Sequence, residues 1–486
     1  MVDKKVKVRF APSPSGDLHV GNIRTALFDW AYARHTGGTF LFRIEDTDRS
    51  RVTDEYIAAA IDTLKWLGLT WDEGPEVGGA NGPYLQSQRL DIYADWARKF
   101  IDQGDAYFCY CTPDELEARR EAQRAANEAP GYDGKCRDLS PQEIKDYKEQ
   151  GREAVVRMRM PAGETTFHDE IRGDVTFDHK FVPDFVLVRG DGSPLYTLAV
   201  AVDDVMMGVT HILRGEDLLS STPRQIRVYQ AMGLAKADYP LFAHLPFVMG
   251  QDNTKLSKRN GEVSIDWYRK AGYLPEAICN YLALLGWAPG DDRENITMKE
   301  LTELFTIEKV NSSPARFDMK KLDAINGDKI RALTLDEFLA WTLPFMTNAG
   351  VISGSDQEIA LVRSALPIIQ ERIVTLGEIP QMLKFLFVKK FQVEEESIPK
   401  INDGAAKEVL KRTLADLSPL QEWSHSEIEA VLRKSLIEEM GLKPRIAFGA
   451  VRIAVTGSTI SPPLFESMEL LGKTLCIERI ESAISL

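Results

Sequence analysis

Nowhere in this 486-residue chain do some 18 apolar residues run together, so the sequence offers no segment able to cross a membrane as a helix. The opening MVDKKVKVRF lacks the apolar stretch of a secretory leader, and a cytoplasmic protein is expected. Cysteine is scarce, five in all, which excludes a disulfide-built scaffold. Cations are in deficit: 59 Lys and Arg against 73 Asp and Glu leave a net charge of −14. Such a balance argues against a surface coated with nucleic acid and leaves room only for a local basic face. There is no internal repeat and no low-complexity tract. What is present, 44% apolar and 27% charged residues, is the composition of a soluble globular protein of roughly three domains at about 150 residues each.

Residues 5–10 alternate, with Val6, Val8 and Phe10 on one face and Lys5, Lys7 and Arg9 on the other, which predicts a strand. The loop APSPSGDLHVGN follows. Ile23, Ala26, Leu27, Trp30 and Ala31 then form a helical stripe ending at Gly37-Gly38, and TFLFRIE reads as another strand. A second amphipathic helix runs through Ile57, Ala60, Ile61 and Leu64. This β-loop-α-β start predicts a doubly wound parallel α/β (Rossmann-like) domain. Around residues 105–150 the pattern becomes a charged helix from Pro113 to Asn127 and then strands, including Val155–Met160 and a hairpin in FVLVRGDGSPLYTL, as an α+β insertion would. From about residue 330 onward the periodicity is helical.

The loop PSPSGDLHVGN lies where a parallel strand's carboxyl end meets a helix N-terminus, a natural seat for phosphate. Gly16 and Gly21 let a ligand approach the backbone, and His19 adds a ring donor. A second segment, KLSKRNG, sets Lys255 and Lys258 in a polar loop. Together these resemble the two ATP signatures of class I aminoacyl-tRNA synthetases, with Asn22 in place of the second histidine of the first and Arg259 in place of the last serine of the second. The chain is similar over nearly its whole length to bacterial glutamyl-tRNA synthetases, through VRFAPSPSGDLHVGN, GGTFLFRIEDTDRSR, WLGLTWDEGP, PYLQSQR, ILRGEDLLSSTPRQ, AHLP, KLSKR, LPEAICNYLALLGW and NSSPARFD.

That resemblance implies ATP with magnesium, L-glutamate and tRNA(Glu) as substrates, a glutamyl-adenylate intermediate, and release of AMP and pyrophosphate. It implies His19, Gly21, Asn22, Asp217 and Lys258 at ATP, with His19, Lys255 and Lys258 serving the chemistry. Arg9, Ser13, Glu45, Tyr196 and Arg214 would hold glutamate, the arginines on its carboxylates and Glu45 on its amine; a polar family position is Val200 here. Arg372 matches a position associated with reading the anticodon. The implied domains are 1–89 with 201–231 (catalytic), 90–200 (an insertion for the tRNA acceptor end), 232–331 (connecting, with the KLSKR loop) and 332–486 (all-helical, anticodon-binding). A monomer is the expected state.

The acidic balance sits uneasily with a tRNA partner, since phosphate contacts need Lys or Arg. Arg316, Lys320, Lys321, Lys329 and Arg331 cluster in one segment and are the expected tRNA-facing junction. A glutaminyl enzyme is disfavoured because a neutral amide needs no cation such as Arg214. A truncated tRNA-modifying paralogue and a small-molecule nucleotidyltransferase leave the long helical C-terminus without a purpose, and a silent tRNA-binding protein leaves the ATP signatures without one. Cys109, Cys111 and Cys136 cluster, which in a reducing compartment points to metal. One structural zinc is the expectation, as in relatives with a Cys-x-Cys and Cys-x-His arrangement. Asp138 stands at the histidine's place and Tyr132 competes with it as fourth ligand.

Overall fold

The computed structural model describes residues 5–48, 52–250, 254, 264–388 and 390–486. The chain divides into two compact units, one of residues 1–267 with 278–319 and one of residues 268–277 with 320–486. In the first, strand β1 (Lys7–Phe10) leads through helix α1 (Val20–His35) to β2 (Thr39–Phe42), and β1 and β2 pair in parallel with Lys7 opposite Thr39. Helices α2 (Asp54–Trp66) and α3 (Leu90–Asp102) follow. The expected helix beginning near Ile23 starts three residues earlier, because His19 and Asn22 close a capping box around its first turn.

A three-stranded antiparallel sheet comes next, β3 (Ala106–Cys109), β4 (Val155–Met158) and β7 (Phe185–Val188), with helices α4 (Pro113–Ala125) and α5 (Pro141–Glu149) between the first two strands. Both helices open on Thr or Ser capping boxes with proline in the first turn. Between β4 and β7 lies a hairpin, β5 (Glu164–Asp169) and β6 (Gly173–Asp178). The sequence-expected hairpin at FVLVRGDGSPLYTL closes only as far as Leu195, whose N–H donates to the carbonyl of Leu187 at 2.7 Å. Tyr196 then begins helix α6 (Tyr196–Met206), because the run Leu198–Val202 is buried on every side and is served better by a helix than by an edge strand.

The chain returns to the parallel sheet with β8 (His211–Gly215), helix α7 (Thr222–Ala231) and β9 (Leu241–Leu245). The Thr210 N–H donates to the carbonyl of Lys7 at 2.9 Å, which seats β8 beside β1. β5 joins the far edge of β9 through Asp169 and Phe242. The strands form two sheets, β2-β1 and β8-β9-β5-β6, set side by side with β8 next to β1, and the winding direction switches between β1 and β8. Ligands of doubly wound sheets bind outside the strand ends at such a switch. Both faces are covered, so β1 and β2 are buried beyond their first residues, Arg9 included. From α1, Leu27 and Phe28 are fully buried, each contributing about 1.5–3 kcal/mol.

In the second unit the described residues from Lys320 onward are helices, 3-10 turns, one π-helical turn and loops without strands. Its core packs Leu410 and Leu417 of helix Gly404–Leu417, Val451 and Ala454 of Pro444–Thr456, and Ile480 of Lys473–Ile484. Gly457 ends the middle helix in the left-handed conformation at φ 83°.

Candidate active site

The carboxyl ends of β1, β8 and β9 and the first turn of α1 enclose a cavity of about 230 Å3. Arg9, His19, Gly21, Asn22, Glu45, Tyr196, Arg214 and Asp217, eight residues singled out in the sequence, line it together. Ser13 does not line it and is exposed on the preceding loop. Lys255 and Lys258 lie outside the described residues.

His19 is the N-cap of α1. Its Nδ1 accepts the N–H groups of Gly21 and Asn22 at 3.1 and 3.3 Å, and Asn22 Oδ1 accepts the His19 N–H at 3.2 Å. Asn22 thus has a local task that accounts for an amide at this position. With Nδ1 accepting, the neutral imidazole carries its hydrogen on Nε2. A side chain at Gly21 would place a Cβ 3.1 Å from that ring, so glycine is what lets the histidine fold back over the helix start. The first turn holds no acidic residue, leaving the positive end of a 16-residue helix directed at the cavity.

Beneath the cavity is a buried ionic cluster. Arg9 Nε lies 3.2 Å from Asp204, and Arg43 contacts Asp204 at 2.9 Å, Glu45 at 3.1 Å and Asp203 at 3.8 Å. Arg89 contacts Asp203 at 2.7 Å. Three guanidiniums thus face three carboxylates, the balance a buried cluster requires. Burial acts against the charge of Arg43, yet Asp204, Asp203 and Glu45 reverse that and hold it firmly protonated. At Glu45 burial is the largest influence and exceeds the pull of Arg43 and Arg9, so its carboxyl rises to about 6. Asp204 stays below the usual carboxylate range: burial would raise it, and Arg9 and Arg43 outweigh that.

Arg214 stands apart from this balance. It is 3% exposed, and every acceptor it meets among the described residues is neutral: His244 Nε2 at 2.9 Å, Gln225 Oε1 at 2.8 Å, Thr222 Oγ1 at 2.8 Å and the Leu218 carbonyl at 3.3 Å. A buried cation without a carboxylate is costly unless a ligand supplies one. With Glu45 in the same cavity, the lining offers a cation for an anionic group and a carboxylate for an ammonium. Tyr196 is half-buried there, and desolvation raises its phenol. Val200 is fully buried in α6 and presents no polar atom.

Away from the cavity, the Sγ atoms of Cys109, Cys111 and Cys136 lie within 4.8 Å of one another. A hydrogen bond with Cys136 draws Cys109 below the usual thiol range, toward thiolate, against its burial and with help from Tyr132. Tyr132 Oη sits 3.4 Å from Cys109 Sγ and accepts the Cys136 N–H at 2.8 Å. Asp138 is not in this group; its side chain is 80% exposed and paired with Arg159 at 2.9 Å. Arg372 is exposed in a turn of the second unit, close enough to Arg452 for their charges to repel. The basic segment is smaller than its sequence suggests: Lys329 is buried and paired with Glu276 at 2.9 Å, and Arg331 is bound to Asp328. A compensated lysine inside the fold is not a phosphate contact, and Lys329 is withdrawn from that face.

Sequence reasoning passed over Arg43, Asp204, Gln225 and His244. Arg43 follows the apolar run Phe40–Phe42 and Asp203-Asp204 sit in an apolar helix; charges at core positions of buried elements are the signal that could have found them.

Residues 5–324 match the model of the class I tRNA synthetase catalytic domain (E and Q), and residues 336–484 match an anticodon binding domain. The chain is 52% identical to a glutamate–tRNA ligase of a Nocardioides species, over 99% of both chains, and 48% identical to that of Saccharopolyspora erythraea, over 99% of this chain and 97% of that one. The fold superposes with a TM-score of 0.84 on the crystal structure of a glutamate tRNA ligase from Elizabethkingia meningosepticum in complex with its amino acid, at 31% identity over 99% of each chain. Family match, full-length identity and cavity agree, and the chain belongs to the glutamate–tRNA ligases of the class I aminoacyl-tRNA synthetases.

Proposed function

We propose that this chain ligates L-glutamate to tRNA(Glu) at the expense of ATP, through a glutamyl-adenylate and with release of AMP and pyrophosphate. The observation that carries the reading is Arg214, a buried guanidinium surrounded by neutral acceptors, in one cavity with the buried carboxylate of Glu45. Glutamate at neutral pH carries one net negative charge, two carboxylates and an ammonium, and the cavity supplies the complementary set. In this reading Arg214 meets the side-chain carboxylate, Arg9 the α-carboxylate and Glu45 the ammonium, with Tyr196 packing against the substrate and Ser13, outside the cavity, making no contact.

Attack of the α-carboxylate on the α-phosphate of ATP is an in-line displacement, and the protein's share is positioning and stabilisation of spreading negative charge. No nucleophilic side chain is required. His19, with its hydrogen on Nε2, the backbone near Gly21 and the positive end of α1 hold the phosphates, Asn22 keeps His19 in place, and Asp217 borders the nucleotide. Lys255 and Lys258 cover the departing pyrophosphate, with magnesium supplying further positive charge at the phosphates. The same residues then serve transfer of the glutamyl group to the terminal ribose of the tRNA.

Residues 90–200 are assigned to the acceptor end, 232–331 to the connection carrying KLSKR and 332–486 to the anticodon, where Arg372 beside Arg452 offers positive charge to a base edge or phosphate. The three clustered thiols fit a structural zinc, which takes four ligands, and Tyr132 stands nearer than Asp138 to serve as the fourth. The zinc would fasten the insertion, remote from the adenylate chemistry. The enzyme is read as a cytoplasmic monomer. Charging of purified tRNA(Glu) with labelled glutamate, dependent on ATP, tests the assignment; no charging by folded enzyme would refute it.

A further inference from the structure

Arg214 does not set its own direction. Its Nε donates to His244 Nε2 at 2.9 Å, and on the far side of the ring His244 Nδ1 lies 2.5 Å from Asp169 Oδ2. All three side chains are buried. Asp169 is anchored in turn: the N–H groups of Ile171 and Arg172 donate to Oδ1 at 3.1 and 3.0 Å, and the His244 N–H reaches both oxygens at 3.2 and 3.1 Å. An ionised Asp169 can only accept, so the shared hydrogen of a neutral imidazole stays on Nδ1 and Nε2 keeps a lone pair for Arg214. Burial favours the neutral ring, lowering the His244 pKa despite Asp169, and Asp169 itself stays below its usual range because His244 and the loop N–H groups outweigh its burial.

We propose that Asp169 and His244 are positioning residues for glutamate selection: Asp169 fixes the imidazole tautomer, and His244 thereby aims the Arg214 guanidinium at the carboxylate of the substrate. The relay crosses three adjacent strands, Asp169 on β5, His244 on β9 and Arg214 on β8, with Arg214 and His244 in register. Asp169 belongs to the segment inserted between α3 and α6, so a residue of that insertion stands behind the glutamate pocket through His244. The same turn sends Arg172 to Glu216, whose carboxylate accepts the Phe247 N–H at 2.7 Å on the cavity wall. This inference rests on Arg214 meeting the glutamate carboxylate.

The decisive variant is Asp169→Asn. The loop N–H groups still require an oxygen at the Oδ1 position, which turns the amide nitrogen toward His244 Nδ1 and moves the ring hydrogen to Nε2, facing the Arg214 N–H. The outcome expected is at least a tenfold rise in KM for glutamate in the aminoacylation assay, with KM for ATP changed less than twofold. His244→Gln, whose amide can donate to Asp169 and accept from Arg214, should remain within about threefold of the parent, while His244→Leu should match Asp169→Asn. An unchanged KM for glutamate in folded Asp169→Asn, equal rises for glutamate and ATP, or a His244→Gln no better than His244→Leu would each overturn the relay. Arg214→Gln, assayed alongside, separates the two readings: if it leaves KM for glutamate unaltered the pocket assignment itself is wrong, whereas a large rise with an inert Asp169→Asn removes only the relay.

Discussion

Glu45 sits where desolvation exceeds the attraction of two guanidiniums, and its carboxyl therefore titrates near 6, between the ordinary carboxylate range and neutrality. Only the ionised form can hold an ammonium. The side chain of free glutamate titrates lower, near 4.3, and its amine stays protonated through this range. Affinity for glutamate, read by calorimetry on the free enzyme, should accordingly be flat from pH 8 to 7 and fall as pH drops through about 6. At pH 5 it should be roughly tenfold weaker, one logarithmic unit for each pH unit below the pKa. Constant affinity down to pH 5 would show that Glu45 does not meet the amine. Arg214 makes the complementary contact. Arg214→Gln removes the cation and keeps a donor, and a lost charge-assisted hydrogen bond costs about 1.5–3 kcal/mol, or roughly 10- to 150-fold in kcat/KM for glutamate. Glutamine, which carries no side-chain charge, should lose far less in the same variant.

Among elements, helix α1 shows what its sequence revealed and what it concealed. The stripe Ile23, Ala26, Leu27, Trp30 and Ala31 marked the helix, and all five are buried. Its true start was hidden because a histidine N-cap with asparagine at the third helical position is a rarer capping pair than Ser or Thr with Glu. Asn22→Ala removes the acceptor of the His19 N–H and loosens the cap by about 0.5–1 kcal/mol. KM for ATP should rise about two- to fivefold while KM for glutamate holds; no change in either would mean that the cap does not set His19 for the nucleotide. The thiol cluster is another case. The cysteine spacing was legible, but the fourth neighbour depended on how the loop after α4 folds, which brings Tyr132 rather than Asp138 to Cys109. Zinc analysis of enzyme purified without added metal should give close to one equivalent, lost in Cys109→Ser. Metal removal should lower the thermal stability of the insertion and its hold on the acceptor end while ATP binding persists. A zinc content near zero would leave three packed thiols.

On the scale of the whole molecule, the doubly wound sheet, the insertion and the helical C-terminal region were all readable from hydrophobic period alone, since each period is imposed by which faces an element must bury. The ionic cluster was not, because Arg43, Arg89 and the pair Asp203-Asp204 are distant in sequence and meet only once the fold is formed. Nor was the isolation of Arg214, which is a property of its neighbours and not of its own segment. That isolation, a buried cation in the cavity whose hydrogen-bond partners are all neutral, is the physical reason to expect an anionic amino acid. The most direct test is charging by the intact enzyme of tRNA(Glu) with labelled glutamate and with labelled glutamine, ATP and magnesium in excess. Glutamate should be attached and glutamine rejected by a factor of at least about 100, a difference of roughly 3 kcal/mol for an unmet buried charge. Comparable charging with glutamine, or none with glutamate, would contradict the account.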